Sequence, residues 1–469
     1  MNASTPLLPV EGPFEFLSPS VTVVGRSTRV ELPYRIVSSG GPLVFTEVVE
    51  LPAVLHDSAE ARAAVRVLHL MAGVSYYKCV APAPVVTGAL SPAESDLVQA
   101  MYDHGLREFA YRNGLDVPLP VDLRGAGAAF DVDFASEPDI EVDAVAATGA
   151  LVPIGGGKDS ALVAALVPDG QLFSVNPVGA QHHLAAALGR PLLGVTRTLD
   201  PTLRALVAEG VRNGHVPVTA ITSAVAVLTA VATGTAEVIM GIERSADEPT
   251  VVTADGVEVN HQFSKSSQAE SLLAAAFEPT GVRWFSLLRP LSELAIGVAV
   301  AARGLGDHIV SCNRVFTVWN DNDASRTQRA CGECAKCLFT ALMLGPASDP
   351  AAIERQYGGA LLDRADHVEA VRDLWSDEKP FDCVGERLES AAALVLLSRQ
   401  PGWADQRVVV EAGPEAARLL ASHGRDATEF LDIGSIEGLP AEYRERVEAL
   451  QVDIDRVRAR RGGDSVAAG

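Results

Sequence analysis

Apolar and polar positions along the chain change rhythm twice. Up to residue 145, short β-branched runs such as Val21-Thr-Val-Val24 and Pro42-Leu-Val-Phe45 alternate with helix-length patterns at 59–70 and 91–105, which predicts an α+β region. The segment 124–148 is rich in Gly, Ala and Asp and lacks periodicity, so it reads as a boundary. From Gly149 onward, short apolar runs at 150–154, 171–175, 191–196, 237–242, 283–286 and 308–311 are separated by helix-length patterns. Continuous apolar strands alternating with helices predict a doubly wound parallel sheet covered on both faces, an α/β fold. After Pro346 the pattern becomes helical and charged, through 351–357, 361–375, 386–397 and 415–422. The expected organisation is an N-terminal α+β domain at 1–145, an α/β domain at 146–345, a helical region at 346–455 and a polar tail at 456–469.

The stretch 216–242 is apolar enough to suggest a membrane span, but five threonines, Ser223, Glu237 and Gly234 interrupt it. A buried helix followed by a buried strand is the better expectation. The amino terminus shows no basic segment followed by an apolar one, and with the reducing-type cysteine usage this leads to the expectation of a cytoplasmic protein. Charge narrows the partners. The 469 residues carry 38 Lys+Arg against 60 Asp+Glu, a formal charge of −22, which argues against a nucleic-acid partner.

The sharpest local signal is Val152-Pro-Ile-Gly155-Gly156-Gly157-Lys158-Asp159-Ser160. An apolar strand enters three glycines and a helix starts near Asp159, so free amides and the positive helix end form an anion site. Lys158 adds a cation, Ser160 a hydroxyl, and Asp159 a carboxylate suited to Mg²⁺. The Walker spacing is absent. Instead the loop resembles the S-G-G-x-D-S loop of the PP-loop ATP pyrophosphatase superfamily, whose members cleave ATP between the α and β phosphates. Gly155 stands where that pattern has Ser. The resemblance implies ATP held by Gly155, Gly156, Gly157, Lys158, Asp159 and Ser160, with an adenosine contact at Asn176 on the next strand end and a further contact at Arg289 in Arg289-Pro-Leu.

Further segments resemble one family within that superfamily, the bacterial ATP-dependent epimerases that convert the terminal L-Glu of UDP-N-acetylmuramoyl-L-Ala-L-Glu to D-Glu for peptidoglycan synthesis. They are Gly73-Val-Ser-Tyr-Tyr-Lys78, Asn213-Gly-His-Val-Pro-Val-Thr219, Asn260-His-Gln-Phe-Ser-Lys265, Arg289-Pro-Leu-Ser-Glu293, Ser311-Cys-Asn-Arg314, Cys331-Gly-Glu-Cys-Ala-Lys-Cys337 and Lys379-Pro-Phe-Asp-Cys-Val-Gly385. The implied reaction passes through a carboxyl adenylate, releases AMP and diphosphate, and needs Mg²⁺ but no pyridoxal phosphate. Its substrate is a small UDP-linked muramoyl dipeptide, for which Asn260, His261, Gln262 and Lys265 supply polar and cationic contacts, joined by Glu243 and Arg244 at the end of a buried strand.

Inversion at Cα needs two proton-transfer groups. Cys312, Cys331, Cys334, Cys337 and Cys383, with His215 and His261, all qualify, and nothing in the sequence chooses among them. The spacing Cys331-x-x-Cys334-x-x-Cys337 with Cys312 upstream equally fits a four-thiolate Zn²⁺ site, with Lys336 and Arg329 nearby to lower the thiol pKa values. A 7-cyano-7-deazaguanine synthase-like thiolase, an amide-forming ligase working through an adenylate, and an ATP-sensing regulator are the rival readings. The oligomeric state stays open.

Overall fold

The computed structural model describes residues 8, 10–125, 130–135, 147–315 and 330–459. Arg329, most of the expected boundary segment and the tail from 460 lie outside the described residues. The strands are β1 (Val10–Phe16), β2 (Ser20–Val24), β3 (Ser27–Ser38), β4 (Gly41–Leu51), β5 (Val85–Val86), β6 (Leu123–Arg124) and β7 (Asp133–Phe134), followed by β8 (Ala150–Pro153), β9 (Gln171–Val175), β10 (Leu192–Thr198), β11 (Glu237–Met240), β12 (Val251–Val252), β13 (Glu258–Val259) and β14 (Arg283–Ser286).

The second half of the sheet is parallel, in the order β14-β11-β8-β9-β10. The chain winds from β8 outward to β10, then returns to lay β11 and β14 on the other side of β8. The turning point of this doubly wound order lies between β8 and β11, where the carboxyl ends of the strands open a crevice. The N-terminal strands do not form a separate layer. β4 pairs antiparallel with β10, Thr196 opposite Glu50 and Thr198 opposite Val48, so one twelve-stranded sheet crosses the boundary expected near 145. Arg197 of β10 fastens this seam with bonds of 2.6 and 3.0 Å to both oxygens of the buried Glu47 on β4.

Side chains alternate across a strand, and the parallel block uses both faces. Val152, Leu172 and Ile239 pack into one core with helices Lys158–Leu166, Glu293–Ala302, Ala335–Leu344 and the C-terminal helices. Leu151, Phe173 and Val238 pack into the other, with helix Val218–Thr233 and the N-terminal region. The helical C-terminal third thus covers one face and the N-terminal third the other.

The apolar stretch 216–242 divides as expected into helix Val218–Thr233 and β11, with Gly234 at φ 63° ending the helix in the left-handed conformation glycine tolerates. No described helix is long and apolar enough to cross a membrane. Three expectations fail. Residues 308–311 form no strand; Val310 instead donates to the Gly156 carbonyl at 2.7 Å, buttressing the glycine loop. The helix expected over 361–375 breaks into a short 3-10 turn, helix His367–Arg372 and a second 3-10 turn, and the helix expected over 415–422 starts much earlier, at Arg407.

Candidate active site

The glycine loop links β8 to helix Lys158–Leu166, whose first residue follows Gly157 without a side-chain cap. Gly156 has φ 84°, and a Cβ there would lie 3.1 Å from Ala180 Cβ; above Gly155 the space is open. The Gly155 amide donates to Ser160 Oγ at 3.2 Å, and Ser160 donates to the Gly157 carbonyl at 3.2 Å, so this hydroxyl shapes the loop. Lys158 is fully buried, its ammonium paired with Asp159 and Glu293. Burial, helped by Lys336, pushes the Lys158 pKa down against the pull of Asp159 and Glu243.

β11 ends beside this loop. A Cβ on Gly241 would lie 3.1 Å from the Asp159 carbonyl, so the glycine permits the close approach that delivers Glu243. Asp159, Glu243 and Glu293 each bring a carboxylate oxygen within 4.8 Å of the others. Glu243 Oε1 is buried and finds no hydrogen-bond partner among the described residues. Burial pushes the Asp159 carboxyl up, but Lys158, Lys336 and Lys265 outweigh it and hold it below its ordinary value. Hard oxygen donors with an orphaned buried carboxylate oxygen fit Mg²⁺.

Arg289 bonds Glu270 at 2.7 Å and donates to the carbonyls of Glu243 at 2.7 Å and Lys265 at 2.9 Å. It therefore ties two site loops together. Asn176 adopts φ 47°, and both ends of its amide are taken by the Arg197 backbone, at 2.7 and 2.8 Å. Its side chain extends the β9–β10 ladder instead of pointing free to an adenosine. Arg244 lies beside Glu386 and Glu389, facing the helical region. The neighbouring Ser245 donates to Glu389 at 2.6 Å, and burial followed by Glu386 pushes Glu389 up to about 8.

The segments Asn213–Thr219, Asn260–Lys265 and Lys379–Gly385 converge on a second cluster. His261 Nδ1 sits 2.5 Å from Glu108 Oε2, His215 Nδ1 lies 3.9 Å from the same oxygen, and the two imidazole centroids are 4.2 Å apart. The half-buried Cys383 lies on the facing segment, whose Val384 carbonyl accepts from Gln262, the neighbour of His261, at 3.3 Å. Burial disfavours the Cys383 thiolate, but Lys265, His261 and Lys336 outweigh it and draw the pKa down to about 6. Burial likewise disfavours a charged His261, yet Cys383 and Glu108 raise it to about 10. Burial, His261 and Lys265 hold His215 down at about 3, so it stays neutral. Lys78, bonded to Asn213 Oδ1 at 2.5 Å, adds another cation beside it.

Loop contacts hold this pocket. Asn260 Nδ2 donates to the Ala246 carbonyl at 2.8 Å, the Gln262 amide nitrogen donates to Asn260 Oδ1 at 2.7 Å, and Gln262 Nε2 donates to the Val384 carbonyl at 3.3 Å. Lys379 pairs with Glu248 and donates to the Gly385 carbonyl at 3.1 Å. Lys336 donates to the Cys383 carbonyl and lies 3.9 Å from Glu293, bridging the two clusters.

The other four cysteines face one another. The sulfurs of Cys312, Cys331, Cys334 and Cys337 lie within 4.8 Å, with Cys331–Cys337 at 3.8 Å and Cys334–Cys337 at 3.5 Å. Tetrahedral Zn²⁺ with Zn–S bonds of about 2.3 Å requires sulfurs about 3.8 Å apart. The amides of Cys331 and Glu333 donate to Cys312 Sγ and Cys331 Sγ, both at 3.4 Å, as they do around thiolates. The set fits zinc, and through the Ser311 carbonyl, 3.8 Å from Cys337 Sγ, it holds the segment that buttresses the glycine loop.

Residues 12–287 match the family model described as the MurL N-terminal domain, and residues 308–427 match the MurL C-terminal domain. The chain belongs to the MurL family. Similar curated proteins come from Salinispora tropica (41% identity over 83% of this chain and 86% of that one), a Micromonospora species (39%, over 87% and 92%) and Xanthomonas oryzae pv. oryzae (36%, over 82% and 86%). Each of these three is named UDP-N-acetyl-alpha-D-muramoyl-L-alanyl-L-glutamate epimerase. No solved structure matches the chain. In this MurL-family chain, Glu108 and Glu293 join the site without having been singled out by sequence, while Lys336, expected beside the clustered thiols, reaches the Cys383 carbonyl and Glu293. Glu293 carried one available signal, a lone charge opening the otherwise apolar helix Glu293–Ala302.

Proposed function

We propose that this protein inverts the terminal L-glutamate of UDP-N-acetylmuramoyl-L-alanyl-L-glutamate, consuming ATP and releasing AMP and diphosphate, in cytoplasmic synthesis of peptidoglycan precursors. The glycine loop acts as a PP-loop of the ATP pyrophosphatase type. A free α-carboxylate resists loss of the neighbouring proton, because the carbanion would form beside a negative charge. Transfer of AMP to that carboxylate removes the charge and makes the α-proton acidic enough for a side-chain base.

The observation that carries this reading is the position of Lys265. Its ammonium is influenced at once by Cys383 in the acid–base pocket and by Glu243 and Asp159 at the glycine loop. Arg289, donating to the carbonyls of both Glu243 and Lys265, ties the two clusters together, so nucleotide activation and proton transfer would work side by side. Asp159, Glu243 and Glu293 would hold Mg²⁺, which when bound neutralises phosphate charge. Cys312, Cys331, Cys334 and Cys337 would hold a structural Zn²⁺. Lys78, Lys265 and Lys336 provide the local positive field that an anionic UDP-linked substrate needs on a protein of charge −22. The names of the relatives favour this reaction over the thiolase and ligase readings.

The test incubates the protein with ATP, Mg²⁺ and UDP-N-acetylmuramoyl-L-alanyl-L-glutamate, then hydrolyses the product for chiral analysis. D-Glutamate formed only with ATP, together with AMP, is the expected result. ADP as the nucleotide product, or no D-glutamate from folded protein, would refute it.

A further inference from the structure

The structure selects among the thiols and imidazoles that sequence left equivalent. We infer that Cys383 and His261 are the two groups that exchange protons with the glutamyl Cα, with Glu108 as the positioning residue that orients and charges His261. This rests on the epimerase reading above and names its acid and base.

Three observations support it. Cys383 sits on the segment that Gln262, next to His261, grips through the Val384 carbonyl at 3.3 Å and that Lys336 grips through the Cys383 carbonyl, whereas Cys312, Cys331, Cys334 and Cys337 turn their sulfurs on each other. Cys79, the sixth cysteine, is buried, and burial pushes its thiol up to about 11. His261 is held from its far side by Glu108, itself buried in helix Arg107–Arg112, so the imidazole has a fixed orientation. Finally, the flanking charges favour the ion pair: Lys265 and Lys336 beside the sulfur, Glu108 beside the ring. His215 packs on the same ring but stays neutral, which suits it to contact substrate and not to donate a proton.

The proton accounting closes. In the forward direction the Cα–H bond of the adenylated L-glutamyl unit breaks, an S–H bond forms on Cys383, and the electron pair enters the acyl carbonyl as an enolate. The His261 imidazolium then protonates the opposite face of Cα, and the carbonyl re-forms. Cys383 is left as thiol and His261 as neutral imidazole. Transfer of the S–H proton to the neutral imidazole after product leaves restores the starting pair, with no external acid required. The planar enolate carbon must pass between the two groups, so the pair separates around substrate.

The reciprocal washout of α-hydrogen tests this. Full-length wild type, Cys383→Ser, His261→Gln and Glu108→Gln are each incubated in D₂O with ATP and Mg²⁺ and with either the L- or the D-glutamyl epimer. Inversion in Cys383→Ser and His261→Gln should fall at least about 100-fold. His261→Gln should still wash the α-proton out of the L-epimer and Cys383→Ser out of the D-epimer, because each keeps the group on one face. That washout also certifies a folded, activating enzyme, and a merely structural residue would not produce opposite patterns. Glu108→Gln should slow inversion from both sides alike. Inversion within tenfold of wild type in either substitution, washout from the same epimer in both, or washout from neither would overturn the assignment. Absence of inversion in the wild type would instead refute the epimerase reading beneath it.

Discussion

The molecule uses its thiols in two opposite ways. Cys312, Cys331, Cys334 and Cys337 are placed so that sulfur meets sulfur, at 3.5 and 3.8 Å, with backbone amides pointing at them. Cys383 meets an imidazole and two ammoniums instead. The first arrangement suits charge neutralisation by a metal held among four sulfurs; the second sets the thiol among cationic side chains instead. Thiol chemistry here is decided by what surrounds the sulfur, not by how many cysteines lie close in sequence.

Exchanging one thiol from each set is the strongest way to break the contrast. Cys383→Ala should lower inversion by about 100- to 10,000-fold while leaving zinc at one per chain, measured by chiral product analysis and metal analysis. Cys334→Ala should do the reverse first: stoichiometric zinc is lost and thermal denaturation shifts to lower temperature, because the loop-supporting segment at 309–312 loses its anchor. Activity should fall only as far as the glycine loop loosens. If Cys383→Ala released the metal and Cys334→Ala kept it, the two roles would have been assigned backwards.

Charge sharpens the comparison further. With Cys383 drawn to about 6 and His261 raised to about 10, the thiolate–imidazolium pair exists between those values. kcat/KM should therefore fall as pH drops through about 6, where Cys383 takes up a proton, and fall again as pH rises through about 10, where His261 gives its proton up. Lys265 is the largest influence lowering Cys383, so Lys265→Gln should move the acid limb to higher pH, by about one unit or more. An acid limb that stayed put would place the titrating group elsewhere.

The smallest effect is expected at the glycine loop. Gly156→Ala puts a side chain at φ 84° and 3.1 Å from Ala180, a strain of about 1–3 kcal/mol, which should raise the KM for ATP severalfold with little change in the pH limbs. A change in the pH limbs instead would mean that loop and proton pocket are one titrating unit.

How much of this could be read beforehand follows from distance along the chain. The glycine loop was legible because strand, glycines and helix start are contiguous. The four-thiol cluster was legible because three of its members obey a short spacing. The five parallel strands were visible as apolar runs, each within two residues of its observed ends. The proton pocket was not legible as a unit: Glu108, His261 and Cys383 come from three distant segments, and only the fold gathers them. The seam between β4 and β10 was invisible for the same reason, since each strand alone is compatible with a separate sheet. Asn176 shows the limit of arguing from a strand end, because its amide, expected to meet adenosine, serves the neighbouring strand.

The most direct test of the whole account runs the wild-type reaction in D₂O with ATP, Mg²⁺ and UDP-N-acetylmuramoyl-L-alanyl-L-glutamate, and reads product mass and AMP together. Activation by adenylation followed by two-sided proton transfer predicts D-glutamyl product carrying one solvent deuterium at Cα and one AMP released for each inversion. D-Glutamyl product that keeps its original proton, or that forms without AMP, would contradict it.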